Sequence, residues 1–339
     1  MPRVCVALAI YDPFLNMQFD DQHCFLCGLG LDEGLRSDEH VFPKWLQERY
    51  GLWNKTIRLI NGTHIPYRQL VIPCCANCNT GPLSALERKI EAAVAQGHKV
   101  FSQLDELAVF QWLSKIHYGL VFKELLLKQD RASLASDTIL TKEDLEYYRS
   151  VHNFLQSVWV PMEFVGFKPW SLFMFRLHPP RSPMLAFNYR DSITSTVVSA
   201  ELDEIGIIIC MQDNGTQRDW FGSYMERHQD RPLVRPQFYE LVAMVLYKAG
   251  LMNRTPKYVS AYAEGSGPVT VISPSLQGFS TAPIYDEWDS QVYARILAHF
   301  WGLPFESVYK DGKVLSLLED ETGKPKYLSP EWEQNLLGF

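Results

Sequence analysis

The sequence of 339 residues lacks an apolar run that approaches the roughly 20 residues needed to cross a bilayer. Its first apolar run, residues 4–10, is short, and Asp12-Pro13 follows where a signal peptide would have small residues for cleavage. These absences disfavour a membrane-spanning or secreted protein. We therefore expect a cytoplasmic protein with no membrane partner, and a buried strand at 4–10.

Several common catalytic signatures are also missing from residues 101–339. This part has no phosphate-binding Walker loop, no dinucleotide-binding glycine fingerprint and no G-x-S-x-G nucleophile turn. The net charge of −7 disfavours a protein whose whole surface coats nucleic acid. Residues 20–40 nevertheless hold six acidic and one basic residue, whereas 41–100 hold eight basic and three acidic. This asymmetry fits a divalent ion beside a phosphate backbone, and equally an ordinary solvated surface.

Cysteine is concentrated in one part of the chain, since five of the seven cysteines lie between positions 24 and 78. They include two C-x2-C pairs, each followed by residues that suit a tight turn. Two such pairs supply the four thiolates of a tetrahedral zinc site, whereas a redox centre would need only one pair. The spacing predicts structural Zn²⁺ on Cys24, Cys27, Cys75 and Cys78, with Cys74 as a strand residue and Cys5 and Cys210 as core thiols.

The residues between and after the cysteine pairs predict short elements of both kinds. We expect a strand that ends at Glu39-His40 and a helix at about 43–50. Asn61-Gly62 is a strong turn pair and predicts a hairpin whose second strand is 64–73. Gly81-Pro82 is expected to open a helix that stops at Gly97, since proline suits the first helical position.

A C-x2-C pair, a hairpin, a second pair and a helix make up a treble-clef finger. The order resembles the zinc-bearing HNH endonucleases of the ββα-metal type, in which an acid-His couple is followed by an apolar residue and proline. The matching residues are Glu39-His40-Val41-Phe42-Pro43, and Asn79 directly after the second pair. The resemblance covers about residues 20–95 and implies the fold of that family for this part of the chain.

The resemblance also implies roles for individual side chains. His40 would be the general base that activates water, and an unperturbed pKa of about 6.5 suits this role. Glu39 and Asn79 would bind a catalytic Mg²⁺ or Mn²⁺ through oxygen atoms, and Glu87 would add a carboxylate or orient a water. The basic residues expected to contact a DNA or RNA backbone are Lys44, Arg68, Arg88 and Lys89.

Each of these residues also has a structural interpretation. His40 could bond to the backbone, Asn79 could cap a turn, and Glu87 could belong to a solvated helix face. The family's middle asparagine is missing, and Asn79 replaces its final histidine. The expected function is a metal-dependent HNH-type DNA endonuclease, and by resemblance a restriction or phage-defence effector. The alternatives are an inactive zinc finger that binds nucleic acid or a protein, and a structural zinc site in a protein whose activity lies in 150–339.

The rest of the chain predicts more helices and a sheet. Residues 104–128 predict a long buried helix, and Thr141 with Asp144 predicts the start of another. Later β-branched and aromatic runs, separated by turn residues, indicate an antiparallel sheet. We expect an α+β protein, with a zinc-stapled HNH-like domain at 1–130 and an acidic α+β module at 141–339 that recognises a protein partner or a ligand.

Overall fold

A computed structural model of the chain describes residues 10–130, 132, 135–262 and 267–332. Cys5 and nearly all of the strand predicted at 4–10 lie outside the described residues. The described part mixes helices with several small sheets, which confirms the predicted α+β class. None of the described helices combines the length and the apolar character required to cross a membrane.

The α-helices of the described residues are, in chain order, α1 (Lys44–Arg49), α2 (Ala76–Cys78), α3 (Ser84–Ala95), α4 (His98–Phe101), α5 (Glu106–Leu126), α6 (Lys142–Glu146), α7 (Arg149–Leu155), α8 (Thr216–Glu226), α9 (Arg235–Gly250), α10 (Ser290–Trp301) and α11 (Phe305–Val308). A π-helical segment, Asn79–Leu83, joins α2 to α3 and is called the wide turn below. Short 3-10 turns lie at Pro13–Leu15, Tyr67–Gln69, Gln156–Val158 and Pro183–Leu185.

The β-strands of the same residues are β1 (Glu39–His40), β2 (Thr56–Arg58), β3 (His64–Pro66), β4 (Val71–Ile72), β5 (Met162–Phe164), β6 (Ser171–Arg176), β7 (Phe187–Ser192), β8 (Val197–Leu202), β9 (Ile205–Cys210), β10 (Val259–Ala261), β11 (Val269–Ile272), β12 (Tyr309–Lys310) and β13 (Lys313–Val314). They pair as β1-β4, β2-β3, β10-β11-β5, β6-β9-β8-β7 and β12-β13. All of these pairs are antiparallel except β11-β5, which is parallel.

The chain forms two compact units, and neither is continuous in sequence. Unit 1 comprises Met1–Ala95, Leu104–Gly166 and Tyr258–Ile272, and unit 2 comprises Gln96–Gln103, Phe167–Lys257 and Ser273–Phe339. The predicted division at 131–140 would instead place the stretch 141–166 in the C-terminal module. That stretch belongs to unit 1 because α7 packs on α5 and β5 pairs with β11.

The predicted hairpin forms between β2 and β3, with Ile57 opposite Ile65 and Gly62 in the turn at a φ of 80°. The strand predicted at 64–73 is in fact two strands. A 3-10 turn at Tyr67–Gln69 redirects the chain, so that β3 pairs with β2 whereas β4 pairs with β1. As a result β4 lies beside Glu39-His40 and carries the chain into the second cysteine pair.

The helix at the second cysteine pair begins before Pro82, the residue predicted to open it. It starts at Ala76, where the Cys75 sulfur accepts the amide of Cys78, and not at Pro82. Pro82 lies inside the wide turn, in which the Ser84 amide reaches the carbonyl of Asn79, five residues back. This looser ring accommodates a residue that has no N–H to donate, so the proline does not end the helix.

The long helix α5 runs through unit 1 and is buried almost all round. Asp105 caps its first turn by accepting the Leu107 amide, and the helix packs against α3, α7 and β4. A helix that is apolar on every face is stable only when neighbours surround it, which matches this position. The next helix, α6, begins with the predicted pair of bonds between Thr141 and Asp144.

Unit 2 is built on the four-stranded antiparallel sheet β6-β9-β8-β7, which the sequence pattern predicted. Helix α9 packs on this sheet through Phe238, whose ring lies over Gly206. A Cβ atom at Gly206 would lie only 2.8 Å from that ring, so the glycine permits the close approach. Cys210 ends β9 in the core, as predicted.

Candidate metal and catalytic site

The sulfur atoms of the two C-x2-C pairs form one cluster, the four-cysteine cluster. Those of Cys24, Cys27, Cys75 and Cys78 all lie within 4.8 Å of one another. The Cys27 and Cys75 sulfurs are 3.7 Å apart. Tetrahedral zinc with Zn–S bonds of about 2.3 Å needs sulfurs about 3.8 Å apart, so the donors and their spacing fit a zinc ion.

Local backbone geometry positions each pair. In the first, the Gly28 amide donates to the Cys24 carbonyl and Gly28 takes a φ of 70°, which suits glycine. In the second, Cys75 precedes α2 and Cys78 ends it, so one helical turn presents both sulfurs. The Phe25 amide, inside the first pair, donates to the Pro73 carbonyl just before the second, and this bond brings the two pairs together.

Cys74 lies beside the cluster without belonging to it. Its sulfur is 3.9 Å from that of Cys24 and 3.5 Å from the Cys75 carbonyl oxygen. The group with metal-ligand spacing contains Cys75 and not Cys74, which confirms the choice made from the spacing of three residues.

A buried lysine that the sequence analysis did not single out organises the predicted catalytic residues. The Lys115 ammonium, on α5, donates to Glu39 Oε1 at 2.6 Å and to Glu87 Oε1 at 2.7 Å. It also donates to the His40 carbonyl oxygen at 2.8 Å. Lys115 is fully buried, and Glu39 is only 4% exposed. Lys115, Glu39 and Glu87 are called the lysine cluster below.

Burial and charge act against each other in the lysine cluster. Burial alone would lower the pKa of Lys115, but the two carboxylates outweigh it and the pKa is raised. Burial raises the pKa of Glu39, and the Glu87 carboxylate adds to this rise against the opposing effect of Lys115. The ammonium is therefore the securely charged member, and it attracts both acids to one point.

His40 lies at the end of β1 and is half-buried, and its ring stacks at 6.1 Å on the ring of the exposed Trp53. Burial lowers the pKa of His40, and the charges of Lys44 and Lys115 lower it further, against the effects of Glu87 and Asp38. At neutral pH the imidazole is therefore neutral and able to accept a proton.

Asn79 makes the kind of contacts expected of a structural residue. Its Nδ2 donates to Ser37 Oγ at 3.0 Å and to the Asp38 carbonyl at 3.1 Å. These bonds tie the start of the wide turn to the residues just before β1. Asn79 thus lies next to the Glu39-His40 couple, but its amide is used to hold the backbone.

The predicted phosphate contacts are spread over unit 1. Lys44 begins α1 and Lys89 lies on α3, and both are exposed. Arg68 donates to the Trp53 carbonyl and to Asn54 Oδ1, and Arg88 donates to Ser84 Oγ at 2.6 Å. All four reach the surface, and two of them already have hydrogen-bond acceptors.

The predicted site for Mg²⁺ or Mn²⁺ does not fit the residues as they lie. A hard divalent ion needs several oxygen ligands around one point. Glu39 and Glu87 do converge, but on the Lys115 ammonium, which would repel such an ion. Within the described ranges, the only group of three or more His, Cys, Asp or Glu residues with metal-ligand spacing is the four-cysteine cluster.

The structure therefore brings the predicted catalytic residues Glu39, His40, Asn79 and Glu87 into one place, but the two acids bond to Lys115, which was not predicted. One signal in the sequence indicated a buried charge here, since Lys115 is the sole lysine in the apolar run 107–122. A fully buried charged side chain needs partners, and Glu39 and Glu87 supply them.

Comparisons of the chain with protein-family models, with curated proteins and with solved structures found no match.

Proposed function

We propose that unit 1 contains an HNH-type nuclease finger and that the protein hydrolyses phosphodiester bonds in DNA. One observation carries the proposal. Glu39 and His40 on β1, Asn79 in the wide turn and Glu87 on α3 are far apart in sequence, yet the lysine cluster and the Asn79 bonds gather them. A treble-clef arrangement, with zinc on the four-cysteine cluster, is part of the proposal and accounts for how they meet.

His40 is the proposed general base. Its neutral imidazole would take a proton from the water that attacks the phosphorus atom. The bond from phosphorus to one ester oxygen would break as the new bond forms, and that oxygen would leave as an alcohol after taking a proton from solvent water. The bond from Lys115 to the His40 carbonyl and the stack on Trp53 hold the residue at the end of β1. Exposed Lys44, beside His40, would attract the phosphate backbone. No step of this scheme runs through a divalent ion at Glu39.

A second function is favoured by a specific observation. Lys115 already donates to both Glu39 and Glu87, and Asn79 is bound to Ser37 and Asp38, so these groups have hydrogen-bond partners without a metal ion. Such a finger would bind nucleic acid or a protein without cutting. The exposed Trp53 and the basic residues around it would then form the binding surface.

The deciding experiment is a cleavage assay on wild-type protein and His40→Ala. Plasmid DNA and single-stranded RNA are incubated with each protein in metal-free buffer, and separately with Mg²⁺ or Mn²⁺. His64→Ala is the matched control, because His64 is an exposed histidine of the hairpin in the same unit. Zinc content is measured in parallel to confirm that each variant keeps its finger.

Cutting that His40→Ala abolishes and His64→Ala preserves supports the nuclease. Equal cutting by all three proteins rejects His40 as the base and points to a contaminant. If no protein cuts but all shift labelled DNA in a gel, the binding function takes precedence. We extend the nuclease proposal to a restriction or phage-defence role in which residues 141–339 recognise a protein partner or a ligand, and a plaque assay with His40→Ala tests this.

A further inference from the structure

The lysine cluster has the form of an occupied cation site. An ammonium has three N–H donors, and Lys115 directs them to three oxygens at 2.6, 2.7 and 2.8 Å. Two of these oxygens belong to carboxylates and the third to a backbone carbonyl, and these are also ligand types for hard metal ions. A cation is thus already present where the acids meet.

The position of the ammonium makes it permanent. Lys115 is on α5, which is buried along nearly its whole length, and its side chain has no solvent-exposed area. The carboxylates raise its pKa, so it keeps its charge throughout the physiological range. A divalent ion bound to Glu39 would lie within a few ångströms of this charge, at a short range where repulsion in a buried site is strong.

We propose that the Lys115 ammonium is the resident cation of the site between Glu39 and Glu87, in place of a divalent metal ion. Of the two clusters, the four-cysteine cluster then takes up a metal ion, and the site at Glu39 takes up none. Lys115 is a positioning residue, because it fixes the end of β1 against α3 and holds the backbone of His40. The inference concerns cation binding alone and holds for either function proposed above.

The test measures metal binding and needs no activity. Free Mn²⁺ is titrated by electron paramagnetic resonance into wild-type protein, Glu39→Gln, Lys115→Met and Lys115→Arg, and the zinc content of each is determined separately. Wild type, Glu39→Gln and Lys115→Arg are expected to bind no Mn²⁺ at this site. Lys115→Met leaves two carboxylates without a cation, so it is expected to gain one Mn²⁺ site, which the double variant Lys115→Met/Glu39→Gln loses.

Two outcomes would overturn the inference. The first is a wild-type protein that binds one Mn²⁺ which Glu39→Gln removes, since the acid would then ligate metal in the presence of Lys115. The second is a Lys115→Met variant that folds with its zinc and binds no Mn²⁺, since the site would then not hold a cation at all. If Lys115→Met does not fold, the comparison of wild type with Glu39→Gln still decides the question. A failed cleavage assay would leave these metal measurements unchanged.

Discussion

The four-cysteine cluster and the lysine cluster lie in the same unit, and both hold together segments that are far apart in sequence, but they use different chemistry. Each collects side chains from distant parts of the chain, the lysine cluster around a buried ammonium and the four-cysteine cluster in an arrangement that could hold a zinc ion. The four-cysteine cluster draws all of its ligands from residues 24–78 and uses thiolates, which bind a soft or borderline metal. The lysine cluster instead uses two carboxylates, and its positive charge is the ammonium of Lys115, a side chain on α5.

The difference separates two kinds of stability. Zinc binding contributes a large free energy to folding, and this contribution requires available zinc and deprotonated cysteines. A buried ion pair adds little net stability, because desolvation offsets the attraction, but it is costly to break. We therefore expect the zinc site to determine whether the finger folds, and the lysine cluster to determine how β1 and α3 sit on α5.

The largest expected effect comes from Cys75→Ser. It should lose the zinc ion and lower the free energy of unfolding of unit 1 by roughly 5 kcal/mol or more, because structural zinc contributes about 10–16 kcal/mol of binding free energy. Metal analysis and thermal unfolding check both parts. Cys74→Ala is the matched control, since it should keep one zinc per chain and cost about 1 kcal/mol. Zinc lost only in the Cys74 variant would reverse the assignment of the ligand.

Lys115→Met should have the next largest effect. It leaves Glu39 buried without a cation, which is expected to cost about 3–5 kcal/mol, with zinc content unchanged. The double variant Lys115→Met/Glu39→Gln should recover part of this loss, because the remaining buried group is neutral. Denaturant unfolding of wild type, Lys115→Met, Glu39→Gln and the double variant measures the coupling free energy between the two side chains. Additive losses would show that the two side chains act independently.

Glu240 in unit 2 is another buried carboxyl to compare with Glu39, and it accepts the backbone amide of Leu317. Burial raises the pKa of Glu240 to about 7, although bonds from Ser316, Leu317 and Leu318 oppose the rise. Since this pKa lies above the unfolded value, its contribution to stability is complete below about pH 4.5 and is lost as pH rises to 7. Relative to Glu240→Gln, wild type should therefore lose up to about 3 kcal/mol across that window.

Unfolding of both proteins at several pH values between 5 and 8 measures this difference. Acid effects on the zinc ligands are common to the two proteins and cancel in the comparison. A constant difference across the range would mean that Glu240 keeps an ordinary pKa despite its burial.

Asn79→Ala should have the smallest effect of the four. It removes the bonds to Ser37 and Asp38 at a half-buried position, which is worth about 1 kcal/mol. The zinc ion should stay, because the sulfur ligands are untouched. Thr80→Ala is the neighbouring control, since this exposed hydroxyl bonds only to the Ala76 carbonyl. Loss of zinc in Asn79→Ala would show that this residue supports the metal site itself.

Local patterns predicted the features that depend on spacing along the chain. The two cysteine pairs of the four-cysteine cluster, the turn at Asn61-Gly62 and the capping pair Thr141–Asp144 all follow from residues a few positions apart. The start of the helix at Ala76 was not predicted. The geometry of the second cysteine pair overrode the usual preference of proline, here Pro82, for a first helical position.

The candidate site shows the same limit. Glu39 and His40 were found from their sequence neighbours, but their partners were not. Lys115 is 76 positions from Glu39 and 28 from Glu87, and only the packing of α5 reveals that the three meet. A hydrogen bond between side chains so far apart leaves no periodic trace, apart from a single charge in an apolar run.

The wide turn at Asn79–Leu83 sets the angular phase of α3. A π turn holds one residue more than an α turn, and each residue of an α-helix advances the side chains by about 100°. Deleting one residue, such as Gly81, would allow a regular helix and rotate Glu87 away from Lys115 by about that angle. Cys75 and Cys78 precede the turn and would keep their places. The extra residue of the wide turn thus sets the direction in which Glu87 points relative to the sulfurs of Cys75 and Cys78.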